Sequence, residues 1–170
     1  GDHRDLHKEY RRQRQMCIRD SIDDDQWKDI RSGVITLCSN FPGEYWRELD
    51  SKREYPEEFV KALTNAGYLA CLIPEEYGGS GLPIHAACVI LEEIQRSGGN
   101  GAACHAQMYI MGALLRHGSK EQKDKYLPKI SSGELRLQAF GVTEPDAGTD
   151  TLSIRTKAEK TKTGYIRATP

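Results

Sequence analysis

Between Phe140 and Asp150 the sequence reads FGVTEPDAGTD. An aromatic residue leads into three carboxylates (Glu144, Asp146, Asp150), two threonine hydroxyls (Thr143, Thr149), a proline and a glycine. Pro145 fits the second position of a turn spanning Glu144 to Ala147, and Gly148 lets the backbone approach a ligand closely. Thr143 and Thr149 bracket that turn with hydroxyls that donate or accept. A turn also leaves backbone N–H groups free, and these bind carbonyl or phosphate oxygens. With Phe140 as an apolar plate, the array suits a flat heteroaromatic ligand that carries phosphates. It suits a plain capped hairpin loop equally well, and spacing does not separate the two.

Other reactive residue types carry less. The five cysteines (Cys17, Cys38, Cys71, Cys88, Cys104) have no CxxC spacing, so we read them as reduced, mostly buried apolar residues of an intracellular protein, with no zinc site. Cys104 and His105 are adjacent, and adjacent residues on a helix point about 100° apart. Gly78, Gly79 and Gly81 fit neither phosphate-binding glycine pattern and read as a tight connection. Glu92 and Glu93 read as a solvated helix face, and Lys120, Lys123, Lys125 and Lys129 as a wet basic stripe. A net charge of −1 argues against an electrostatic nucleic-acid binder. No apolar run approaches the ~20 residues of a membrane span.

The elements that must position these residues are mostly helical. Trp27, Ile30, Val34, Leu37 and Phe41 recur at helical spacing, with Asp23 and Gln26 fitting a capping box and FPG (41–43) as a stop. A second helix opens at Pro56, buries Phe59, Val60 and Leu63, and stops at Gly67. A third runs from about Pro83 to Ser97, with Ile84, Ala87, Cys88, Leu91 and Ile94 inward. A fourth runs to about Arg116 with Met108, Met111, Leu114 and Leu115 apolar; these methionines are core or the lining of an acyl pocket. Ser119 and Gln122 cap a short helix that Pro128 closes.

From Leu135 the period becomes that of a strand: Leu135, Leu137 and Ala139 on one face, then Leu152, Ile154 and Thr156 on one face after the loop. A turn at Gly164 precedes another strand start at Tyr165. Helices followed by strands imply an α+β chain of two domains, 22–133 and 134–170. Residues 1–21 differ from the rest: a basic disordered arm, or a non-native leader, since MCIRDS (16–21) resembles the translation of a sequencing adapter.

Three blocks in order, LIPEEYGGSGL (72–82), HGSKEQKDKYLPKISSGE (117–134) and FGVTEPDAGTD (140–150), resemble the acyl-CoA dehydrogenase family of flavoproteins. The likeness covers roughly Asp23 to Tyr165 and marks the TEPxAGSD-type loop. It implies an all-α helical amino-terminal domain, then a β-barrel domain of which this chain holds the first strands. A carboxy-terminal helical domain would follow and is missing here. The implied activity is α,β-dehydrogenation of an acyl-CoA thioester, with hydride transfer to flavin N5 of FAD. Implied partners are the acyl-CoA substrate, an electron-transferring flavoprotein and further copies of the chain, as dimer or tetramer. The implied compartment is the bacterial cytoplasm or the mitochondrial matrix. A flavin oxidase or monooxygenase on the same scaffold, and a non-catalytic helical interaction module, stand as alternatives.

Carried over by residue, the resemblance implies that Phe140, Val142 and Thr143 lie along the isoalloxazine, and Gly148 and Thr149 near the FAD phosphates. Thr149 is also implied to lie close to the thioester. Phe140 stands where tyrosine is frequent and Thr149 where serine is commoner. Glu144 is expected to orient the loop. No residue of this chain is assigned as catalytic base, which is expected in the missing domain, and the fragment itself is expected to be inactive.

Overall fold

The computed structural model describes residues 25–168. The 1–21 leader, Cys17 and the Asp23 cap lie outside the described residues. The chain divides into two compact units, one ending at Gln138 and the other beginning at Ala139.

The first unit is helical. A 3-10 turn, Asp25–Trp27, leads into α1 (Lys28–Cys38), which buries Val34 and Cys38 and half-buries Ile30 and Leu37. Pro42 then opens a helix as well as ending one: α2 (Gly43–Lys52) follows directly, where the sequence reading placed only a stop. A proline ahead of the first turn loses no hydrogen bond, because that N–H would have had no partner. Phe41, Tyr45, Trp46 and Phe59 meet edge to face, with centroids 4.8–5.1 Å apart, and so join α2 to α3 (Glu57–Asn65). Phe59, Val60 and Leu63 are fully buried, and Gly67 takes the left-handed stop at φ 80°.

Residues 68–82 form a compact connection, not a phosphate cradle. The N–H of Gly81 donates to Ile73 O at 2.8 Å and that of Leu82 to Cys71 O at 2.7 Å. A Cβ on Gly79 would stand 2.0 Å from Ile73 O and 2.6 Å from Ala70 O. Glycine is there because backbone passes against backbone.

Then come α4 (Ile84–Arg96), α5 (Ala102–His117) and α6 (Lys120–Ser131). The buried stripe of α4 differs from the expected one. Ala86, Ala87, Val89, Ile90 and Ile94 are inside, whereas Ile84 is 60% exposed and Cys88 is exposed. Glu93 is inside too, only 3% exposed, so Glu93 is not part of a solvated face. The reason is Arg31 of α1, which binds Glu92 and Glu93 and lets the acidic edge of α4 turn inward. Met108 and Met111 are buried in the core cluster, which is where their core reading put them.

The Ser119–Gln122 capping box is present, but α6 does not close at Pro128. It continues to Ser131, and the N–H of Ser132 donates to Pro128 O at 3.0 Å. Leu127 and Ile130, at 0% and 1% exposure, flank the proline. Burying them stabilises by roughly 1.5–3 kcal/mol each, enough to offset the ~3 kcal/mol of an interior proline.

Residues 135–138 pack with the helical unit. Leu135 and Leu137 lie on its core, and Arg136 donates to Thr64 Oγ1 at 3.3 Å. The expected alternation is therefore used, yet 135–142 does not take up strand structure.

The second unit holds two strands, β1 (Lys157–Lys160) and β2 (Tyr165–Ala168). They pair antiparallel from Lys157↔Ala168 to Lys160↔Tyr165. The N–H of Thr161 donates to Gly164 O at 2.8 Å, closing the turn expected at Gly164. Residues 151–153 are a 3-10 turn and not a strand; Asp150 caps it by accepting from the Leu152 N–H at 3.2 Å. Leu152, expected inward, is 96% exposed.

Candidate functional site

The loop opens where Pro145 turns the chain. Glu144 N–H donates to Ala147 O at 2.9 Å and Ala147 N–H to Glu144 O at 3.2 Å. This is the four-residue turn expected from proline at its second position. Ala147 is buried, 2% exposed.

The Glu144 side chain braces the far side. Its carboxylate accepts from the Thr156 N–H at 2.9 Å and the Arg155 N–H at 2.8 Å. Those bonds, from Thr156 first and Arg155 with it, hold the Glu144 carboxyl below the usual carboxylate range. The other two carboxylates are engaged as well. Asp146 faces Arg155 at 3.4 Å, and Asp150 accepts from the Leu152 N–H and the Ser153 hydroxyl. All three acids of the loop thus serve its shape.

The residues singled out in the sequence occupy the two arms of this turn. Phe140 is 63% exposed and Val142 38%, both on the incoming arm. Thr143 precedes the turn and Gly148 and Thr149 follow it, all exposed. Thr143 and Gly148 stand side by side: a Cβ on Gly148 would meet only Thr143 Cγ2, at 4.0 Å. Among the described residues, nothing accepts from the hydroxyls of Thr143 and Thr149 or from the N–H groups of residues 142, 143, 148 and 149. The braced turn therefore presents a set of uncommitted neutral donors around one small residue. Such donors fit a ligand rich in carbonyl or phosphate oxygens.

Sequence reasoning missed how the loop is held. Arg155 and Thr156 answer Glu144 from eleven and twelve residues away, and no short motif encodes that pairing. Among the described residues, no group of three or more His, Cys, Asp or Glu side chains is placed to hold a metal ion. Nor is any described helix long and apolar enough to cross a membrane.

A family model described as the acyl-CoA dehydrogenase N-terminal domain matches residues 24–134. The mitochondrial isovaleryl-CoA dehydrogenase of Pongo abelii is 40% identical over 147 residues, 84% of this chain and 34% of its own. The glutaryl-CoA dehydrogenase of Desulfococcus multivorans is 40% identical over 138 residues, 78% of this chain and 34% of its own. A solved glutaryl-coenzyme A dehydrogenase in complex with glutaryl-CoA superposes with a TM-score of 0.73 at 30% identity, covering 85% of this chain and 38% of that one. The chain thus spans about a third of the length of the curated relatives it matches.

Proposed function

The chain belongs to the acyl-CoA dehydrogenase family, and from that premise we propose that the protein it represents is an FAD-dependent acyl-CoA dehydrogenase. The bound flavin supplies the hydride acceptor for α,β-dehydrogenation of an acyl-CoA thioester. The observation that carries the reading is the braced turn with its uncommitted donors at Thr143, Gly148 and Thr149.

In this reading Phe140, Val142 and Thr143 hold the ring system, and Gly148 and Thr149 the phosphates, with Thr149 also near the thioester. The donors are fixed before any ligand arrives. Preorganised donors stabilise charge that develops on an acceptor edge more than they stabilise the neutral ground state. Glu144 is a brace and not the base: its carboxylate holds two backbone amides, and a depressed pKa weakens it as a proton acceptor. The proton-abstracting carboxylate belongs to a part of the protein outside residues 25–168. An electron-transferring flavoprotein takes the electrons, and the working protein is an oligomer. The relatives are named for isovaleryl and glutaryl groups, so the substrate class is acyl-CoA in general, not fatty acyl-CoA alone.

The test is the protein of the complete reading frame. It should purify yellow with one FAD per chain and bleach anaerobically with an acyl-CoA such as isovaleryl-CoA or glutaryl-CoA. A colourless protein that takes up no FAD overturns the proposal. Rapid reoxidation of the bleached flavin by oxygen marks an oxidase on the same scaffold instead.

A further inference from the structure

A cleft of about 570 Å³ lies wholly within the helical unit, lined by α2, the residues before α3 and the loop joining α4 to α5. That volume falls among small-ligand sites, which run from ~300 to ~1,000 Å³. Trp46, Leu49 and Pro56, all half-buried, give it an apolar floor. Trp46 Nε1 donates to Phe41 O at 3.1 Å, so the polar edge of the indole is already committed. The backbone at Gly99 comes up against the same ring. A Cβ there would stand 3.2 Å from Trp46 Cζ2 and 3.2 Å from Ile94 O. Glycine lets that wall close onto the indole.

The cleft also carries three exposed charges, Asp50, Arg53 and Glu54. Among the described residues, no ion pair or hydrogen bond engages any of their side chains. Arg53 is, besides, the one described non-glycine residue with positive φ, at φ 55° and ψ 41°. It stands just past α2, where its N–H donates to Asp50 O at 3.1 Å and the Glu54 N–H to Leu49 O at 3.0 Å. Helices that stop in this way favour glycine at that position, because a Cβ is strained in the left-handed region. Here the backbone bears that strain to carry a guanidinium with no partner among the described residues.

We propose that this cleft binds a free α-amino acid with an apolar side chain. The ligand carboxylate meets Arg53, whose planar fork matches two oxygens. The ammonium meets Asp50 and Glu54, and the side chain covers Trp46, Leu49 and Pro56. A plain anion is repelled by the two acids and a plain cation by the arginine, so the three charges together select a ligand that bears both signs. Binding here does not depend on what the 140–150 loop holds.

The experiment is calorimetric titration of the full-length protein with L-phenylalanine and with L-leucine. At least one should bind saturably, one molecule per chain, with a Kd of about 1 mM or tighter. The N-acetyl derivative of the ligand that binds lacks its ammonium, and the amide derivative lacks its carboxylate. Each should bind weaker by about tenfold or more, the worth of a hydrogen bond to a charged group. Arg53→Gly should weaken binding by the same order while the melting temperature holds or rises, since the left-handed residue becomes glycine. No saturable binding of either amino acid overturns the proposal. So does binding that survives Arg53→Gly, or that tolerates the loss of either ligand charge.

Discussion

Arg31 of α1 and Glu93 of α4, 62 residues apart in sequence, are ion-paired in the interior of the helical unit. The Glu93 side chain is 4% exposed and that of Arg31 14%. Glu92 joins at 2.8 Å, and Arg96 reaches Glu93 at 3.4 Å. Taking the arginine away leaves the buried Glu93 carboxylate with the longer contact to the exposed Arg96, and breaking a buried pair costs up to about 3–5 kcal/mol. Arg31→Leu should therefore lower unfolding free energy in urea by that order. Replacing both, Arg31→Leu with Glu93→Leu, should recover most of it, because apolar pairs of similar volume are often neutral or better. A single variant as stable as the parent would show that the pair does not hold α1 to α4.

The buried thiols make a prediction of reactivity. Burial pushes Cys71 up to about 11 and Cys104 up to about 12, and raises Cys38 as well. At pH 8 roughly a thousandth or less of Cys71 or Cys104 is thiolate, and thiolate is the reactive form. Among the described cysteines, Cys88 alone is exposed. Of these four, iodoacetamide on the native chain should label Cys88 first, and Cys38, Cys71 and Cys104 only with unfolding, as read by peptide mass spectrometry. Equal labelling of Cys71 and Cys88 in the native state would contradict the packing described.

Glu144 gives the loop a pH dependence of known sign. Its folded pKa is lowered, so its contribution is full above the unfolded value of about 4.3 and is lost as pH falls through the folded value. The amides of Arg155 and Thr156 should exchange slowly with deuterium near neutral pH and lose protection below about pH 4. Glu144→Gln offers one acceptor oxygen where two are used, so at neutral pH it should release at least one of the two amides. Unaltered protection of both in that variant would mean the brace lies elsewhere.

Much of this arrangement was legible because it is written in local rules. Gly67 at the end of α3, the Ser119–Gln122 box and the Glu144–Ala147 turn follow from residue types at fixed short spacing. What the sequence hid depends on distant partners. Glu93 looks like a surface acid until Arg31 is placed against it, and that pairing rotates the buried face of α4 away from Ile84 and Cys88. Pro128 looks like a stop until the burial of Leu127 and Ile130 outweighs it. The alternation of 135–138 is real, but it serves packing against helices rather than a ladder. In the loop, Thr143, Gly148 and Thr149 were singled out by their types. The brace from Arg155 and Thr156 was not, since backbone amides carry no sequence signal.

Thr149 offers the cleanest separation of loop from ligand. Its hydroxyl has no hydrogen-bond partner among the described residues. Thr149→Val is nearly isosteric and removes that hydroxyl alone, so the folded loop loses no bond and the melting temperature of the cofactor-free full-length protein should hold. A hydroxyl that donates to a charged group is worth about 1.5–3 kcal/mol, or roughly 10- to 150-fold in binding at 1.4 kcal/mol per decade. FAD should therefore bind Thr149→Val weaker by that order, and Thr149→Ser, which keeps the hydroxyl, within about twofold of the parent. The two variants bear on different properties of the same side chain: serine discards the methyl and valine the oxygen. Weakening by valine alone assigns the oxygen to the ligand. Weakening by serine alone assigns the methyl to packing and removes Thr149 from the cofactor site.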